Sequence, residues 1–187
     1  MLASLASPSR VRQSQGVARA RLFALLATCA ALACVPDEGW FVMGQGEVPG
    51  WTALEDGDEL LMVLGGQGLL MFPMPLRGGG FRVPKDPLDY TDPAAPILDI
   101  HIDIEGHVYD NGHFERVVNY PIPLSPLGDG SFEFIYVTLF IPDELVDPCA
   151  IDGLPGQIHA ELDVVDGDRL VWDREVVIAV PEELCAP

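Results

Sequence analysis

The chain has 187 residues and a formal charge of −19, from 29 Asp and Glu against ten Lys and Arg. A polymer this acidic repels phosphate backbones and anionic lipid headgroups, which makes nucleic acid a poor partner for its folded part. Heavy acidity is also a mark of disorder, but a hydrophobic fraction of 49% and a positive mean hydropathy argue for a chain that folds.

The charges are unevenly placed. Every Asp and Glu follows residue 34, whereas Arg10, Arg12, Arg19 and Arg21 precede it. Residues 35–187 hold only Arg77, Arg82, Lys85, Arg116, Arg169 and Arg174 against all 29 acids, a formal −23. Two unlike polymers meet near residue 34. Before the junction, Arg19 and Arg21 lead into the apolar run from Leu22 to Ala33, and small residues stand at its exit. A positive flank, about a dozen apolar residues and a small-residue exit are the pattern of a secretory signal, and the run is too short to span a bilayer.

The exit, Ala31-Leu32-Ala33-Cys34, resembles the lipobox of bacterial lipoproteins. The resemblance implies that residues 1–33 are a lipoprotein signal peptide, that Cys34 is the lipid attachment site, and that the rest of the chain is exported. Two acyl chains or more on Cys34 meet the requirement for persistent anchoring. Asp37 does not directly follow the modified cysteine, which points to the outer membrane, periplasmic or surface-facing, with plain secretion after a cut near Ala33 as the alternative. Of four cysteines, Cys29 leaves with the signal and Cys34 takes the lipid. Cys149 and Cys185 then remain as an even pair in an oxidising compartment and are expected to form a disulfide.

Residues 34–57 read as a lipidated tether and a first edge segment, Gly- and Pro-rich with Trp40, Phe41 and Trp51. The domain proper is expected over residues 58–187. It consists of short β-branched and aromatic runs separated by turn residues, with no sustained helical period. Strands are predicted at Glu59–Leu64, Gly68–Leu76, Ile97–Tyr109, His113–Ile122, Phe132–Phe140, Gln157–Val165 and Leu170–Val180. In the third, Leu98, Ile100, Ile102 and Ile104 share one face, and Asp99, His101, Asp103 and Glu105 the other. In the sixth, Ile158, Ala160, Leu162 and Val164 face in, and Gln157, His159, Glu161 and Asp163 face out. Asn111-Gly112 predicts a tight turn with positive φ at both residues. Asp166-Gly167-Asp168 predicts a three-residue hairpin loop pairing Val164 with Leu170 and Leu162 with Trp172. Pro73, Pro75, Pro121 and Pro123 belong at edges or strand ends because each lacks a ladder donor. Residues 78–96 read as an irregular connection, and Asp143–Val146 as a short helical turn.

About seven short strands with regular turns predict an all-β antiparallel sandwich of the immunoglobulin-like type. The segment from Leu154 to Val180 resembles the last hairpin of bacterial immunoglobulin-like and fibronectin-like modules, although the inter-sheet Cys pair of true immunoglobulin domains is lacking. That resemblance implies a fold class and no activity.

No catalytic motif is present, so no enzyme activity, catalytic residue or cofactor is assigned. Ser125 and Ser131 lie in a turn-rich stretch without a Gly-x-Ser-x-Gly elbow, and phosphate-loop and Cys-x-x-Cys patterns are missing. The expected role is a lipid-anchored envelope module, binding or structural, whose partners are the membrane itself and an envelope protein or polysaccharide. The alternative is a metal-binding envelope protein or a small envelope enzyme, with calcium as a candidate ligand. With the register above, Glu161 faces Asp173 and His159 faces Glu175, and like charges set opposite invite a cation. A solvated acidic face explains the same residues. Glu55-Asp56-Gly57-Asp58 and Asp166-Gly167-Asp168 resemble fragments of calcium loops but read as turns, and Asp173-Arg174-Glu175 falls inside a strand. Soft-metal handling is suggested by His101, His107, His113 and His159 with Met71 and Met74, but the histidines are spread over at least three strands, and Met71 and Met74 point to opposite faces of their strand and read as packing residues. No residue is assigned as a metal ligand.

Overall fold

A computed structural model of the chain describes residues 38–46, 51–165 and 167–185; the segment expected to be a signal peptide, Cys34 and Asp166 lie outside them. The described residues belong to one compact unit. Its strands are β1 (Trp40–Gln45), β2 (Thr52–Ala53), β3 (Asp58–Leu61), β4 (Val63–Leu64), β5 (Leu70–Gly79), β6 (Ile97–Ile104), β7 (Glu115–Pro121), β8 (Ser125–Pro126), β9 (Ser131–Phe140), β10 (Pro155–Asp163) and β11 (Leu170–Ala179).

The strands form two sheets, as the alternation requires when each ribbon has one apolar face to hide. One has the order β2-β1-β5-β9-β8, with β4 also on β5; the other has the order β3-β11-β10-β6-β7. All pairings are antiparallel except β3 with β11. The inward residues of β6 and β10 interlock with Phe72, Met74 and Leu76 of β5 and Leu139 of β9 in one continuous core. The fold is an all-β sandwich.

Every predicted strand is present, with informative departures. The stretch predicted as one strand, Glu59–Leu64, is two. Met62 is fully buried, and its N–H donates to the Ala179 carbonyl. On one side of it β3 pairs with β11, and on the other β4 pairs with β5. The chain thus crosses from one sheet to the other at this residue. Residues 40–45, read as tether and edge, form β1, which pairs with both β5 and β2. Phe41 enters the core, and Trp51 lies under the Arg77 guanidinium, 4.4 Å from its centroid. Gly44 is required there, since a Cβ would stand 2.5 Å from the Trp51 indole nitrogen.

Pro73 and Pro75 lie inside a strand that has neighbours on both sides, not at an edge. They are tolerated because β4 pairs only with Leu70 and Met71, and β1 only with Leu76 onward. Between them one side of β5 is locally open, and the register with β9 shifts beyond Met74. Pro121 ends β7, as expected. The helical turn expected at Asp143–Val146 is a simple turn closed by Leu145 N–H on the Pro142 carbonyl. A 3-10 turn forms just beyond it at Pro148–Ile151, with Asp147 capping the Cys149 N–H. The Cys149–Cys185 disulfide is present, joining that turn to a short helix, Glu182–Cys185.

Candidate functional site

The outer face of the five-stranded sheet gathers the histidines. β10 lies between β6 and β11, and His159 is the cross-strand partner of both His101 and Asp173. The register between β10 and β11 differs by two residues from the predicted one: Leu162 pairs with Leu170 and Ala160 with Trp172. Glu161 therefore faces Val171, not Asp173, and Glu175 faces Gln157, not His159. A shift of two leaves every side chain on its own face, so alternation cannot distinguish the two pairings. Arg169 draws the longer connection inward, donating to both carboxylate oxygens of Asp163 at 2.6 and 2.8 Å and to Glu161 at 2.6 Å.

The opposed like charges expected between β10 and β11 do not occur, although Glu161 directly faces Asp99 of β6, and the carboxylates are matched by protein donors. Asp173 Oδ1 lies 2.7 Å from His159 Nδ1, Glu161 lies 3.4 Å from His159 Nε2, and Asp99 accepts the Asn119 N–H. Glu55-Asp56-Gly57-Asp58 is a turn in which Asp58 accepts the Glu55 N–H and Asp56 accepts the Glu175 N–H. Met74 is fully buried, as a packing residue should be, whereas Met71, read the same way, is only half-buried and outside the core.

What the sequence did not bring together is His113 with His101 and Asp103. β6 stops at Ile104 instead of continuing to Tyr109, because Gly106 takes φ 81° and turns the chain away. A short excursion follows, and Asn111 and Gly112, at φ 47° and 99°, reverse it in the predicted tight turn. The turn is locked by Arg116 Nε donating to Asp110 at 3.0 Å and by the His113 N–H on the Asp110 carbonyl. The chain returns with Phe114 in the core and His113 on the outer face. His113 Nδ1 lies 2.9 Å from Asp103 Oδ1, His101 Nε2 lies 3.7 Å from Asp103 Oδ2, and the two imidazole centroids are 3.8 Å apart. His159 flanks them, its ring 5.1 Å from His101. The remaining histidine, His107, contacts Tyr109 through Nδ1 at 3.1 Å.

The row holds two histidines of opposite character. Burial first, and then the facing His113, push the His101 imidazole below its ordinary value. The hydrogen bond to Asp173, helped by Glu161, holds His159 above it. The signs follow from linkage. The stabilisation carried by His159 is whole below the unfolded value of about 6.5 and is lost as pH rises through the folded one. That carried by His101 is whole above about 6.5 and is lost as pH falls toward its folded value. The two act in opposite directions on bulk stability, so they must be read residue by residue. In an NMR titration of the imidazole resonances, His159 is expected to titrate above His101, and Asp173→Asn to bring His159 down. The reverse order would contradict the arrangement.

Fold and face together define an all-β sandwich with a histidine- and carboxylate-lined sheet surface. No protein-family model matches the chain, and neither a curated protein nor a solved structure matches it.

Proposed function

We propose that the chain is a bacterial envelope lipoprotein. Residues 1–33 are removed, Cys34 carries the lipid, and the immunoglobulin-like sandwich beyond it is a binding module that works through the outer face of its five-stranded sheet. The observation that carries the binding role is the gathering of His101, His113, His159 and their carboxylates on that face, from three strands and a turn. Imidazoles and carboxylates side by side offer lone pairs and hydrogen bonds to a ligand while the apolar residues behind them hold the strands in place.

Two further features support the reading. The Cys149–Cys185 bond is of a kind that persists in oxidising compartments, where an export signal would deliver the chain. The orders β1-β5-β9-β8 and β11-β10-β6-β7 correspond to the A-B-E-D and G-F-C-C′ sheets of immunoglobulin folds, with β3 as an added edge. The outer membrane is the proposed location.

Expression of the full chain in a bacterium fed a labelled fatty acid tests the anchoring. The wild type is expected to be labelled and recovered with membranes, and Cys34→Ala to lose the label. An unlabelled wild-type chain in the cytosol, or label retained by Cys34→Ala, would overturn the anchored reading.

A further inference from the structure

We propose that His101, Asp103 and His113 form a binding site for a divalent transition-metal ion of the zinc type. The inference rests on the reading of this sheet face as the binding surface, and it names the ligand class.

One ligand atom from each of the three side chains lies within 4.8 Å of the other two. Around a tetrahedral ion with bonds of about 2.0–2.1 Å, ligand atoms stand roughly 3.3 Å apart. His113 Nδ1 is already inside that separation from Asp103 Oδ1, and His101 Nε2 is close to it from the other oxygen, Oδ2. None of the three side chains is locked in the core: they keep 26%, 44% and 28% of their surface in the order His101, Asp103, His113.

The scaffold divides the task. His101 and Asp103 are two apart on β6, hence on one face, and β6 is held on both sides by β10 and β7. That strand fixes two ligands in position. His113 follows the Asn111-Gly112 turn, which the Arg116–Asp110 ion pair holds, and it is tethered beneath by the buried Phe114.

The donor set selects the ion. Two imidazole nitrogens and one carboxylate oxygen suit zinc and its neighbours, whereas calcium takes six to eight oxygens and gains nothing from imidazole. His159 stays outside the set because carboxylates occupy both of its nitrogens, Asp173 at 2.7 Å and Glu161 at 3.4 Å. Three protein ligands leave a coordination position open to water or to a group from a partner. The formal −23 carried by residues 35–187 raises the local concentration of cations at such a surface.

The test uses the full chain, purified in detergent and stripped of metal, titrated with zinc chloride by calorimetry, with cobalt absorption and imidazole NMR as second readouts. One equivalent of zinc is expected to bind, shifting the resonances of His101 and His113 but not those of His107. His101→Gln and His113→Gln should each weaken binding by at least about tenfold, the loss that follows even from disturbing a ligand's supporting contacts. His107→Gln should leave it unchanged, and calcium chloride should not compete. Circular dichroism and urea midpoints of the variants separate lost ligands from lost folding. Absence of saturable zinc uptake by the wild type, or unchanged uptake by the folded His101→Gln, His113→Gln double variant, would overturn the site. A chain that is acylated but takes up no zinc refutes the metal site alone; one that binds zinc but is never acylated refutes the anchoring alone.

Discussion

Replacing Phe114 with alanine is expected to lower the free energy of unfolding by about 3–5 kcal/mol. The ring has no exposed surface, Tyr109 packs edge-on against it at 5.7 Å, and its N–H donates to the Ile102 carbonyl of β6 at 3.0 Å. Truncation forfeits the transfer energy of the ring and leaves a cavity beneath a turn that has few other anchors in the core. Against a domain stability of roughly 5–15 kcal/mol, the loss is a large share of the total. Urea denaturation should show a lower midpoint at unchanged slope. Val146→Ala, at a residue 93% exposed, should stay within about 0.5 kcal/mol of the wild type. A Phe114→Ala protein as stable as that control would mean that the ring is not in the core. Because His113 precedes Phe114, the variant should also broaden or shift the His113 imidazole resonances.

The second large effect is expected from the disulfide. Cys149 and Cys185 are 36 residues apart, and the enclosed segment contains the whole β10–β11 hairpin. Closing a loop of that length restricts the unfolded chain by about 4 kcal/mol on the chain-entropy account. Both cysteines also pack, partly buried, against the core. The Cys149→Ser, Cys185→Ser double variant should therefore unfold at a markedly lower denaturant concentration and become indifferent to reductant, while the wild type should fall to nearly the same midpoint once reduced. Equal midpoints for oxidised and reduced wild type would show that the bond contributes nothing. Free thiols that alkylate without prior reduction would show that it does not form.

The residues explain why some of this was legible beforehand. Alternation is a local property, so Leu98, Ile100, Ile102 and Ile104 on β6 and Ile158, Ala160 and Leu162 on β10 could be assigned to the buried face from the sequence, and all are buried, whereas Val164, assigned with them, lies past the end of β10 and is only half-buried. Asn111-Gly112 declared its turn because few other pairs take positive φ at two successive positions cheaply. The Cys149–Cys185 pairing followed from counting cysteines once export was read from the amino terminus. β1 was obscured by a Gly- and Pro-rich stretch in which Gly44 serves to admit Trp51. The interiors of Pro73 and Pro75 were misjudged because openness on one side of β5 depends on where two other strands end.

The amino-acid order by itself determined which side of each ribbon meets the core, because neighbours two apart share a face whatever lies across from them. It determined too that the folded part would be acidic and all-β. Only the tertiary structure decided the register of β10 against β11, the crossing between sheets at Met62, and the meeting of His113 with His101 and Asp103. Strand partners displaced by two residues bury the same side chains, so the hydrophobic pattern is blind to the difference. The outcome depends on the Arg169 ion pairs with Asp163 and Glu161 and on the packing of Phe114 in the core, which alternation along a strand does not encode, and on the turn that Gly106 makes at positive φ.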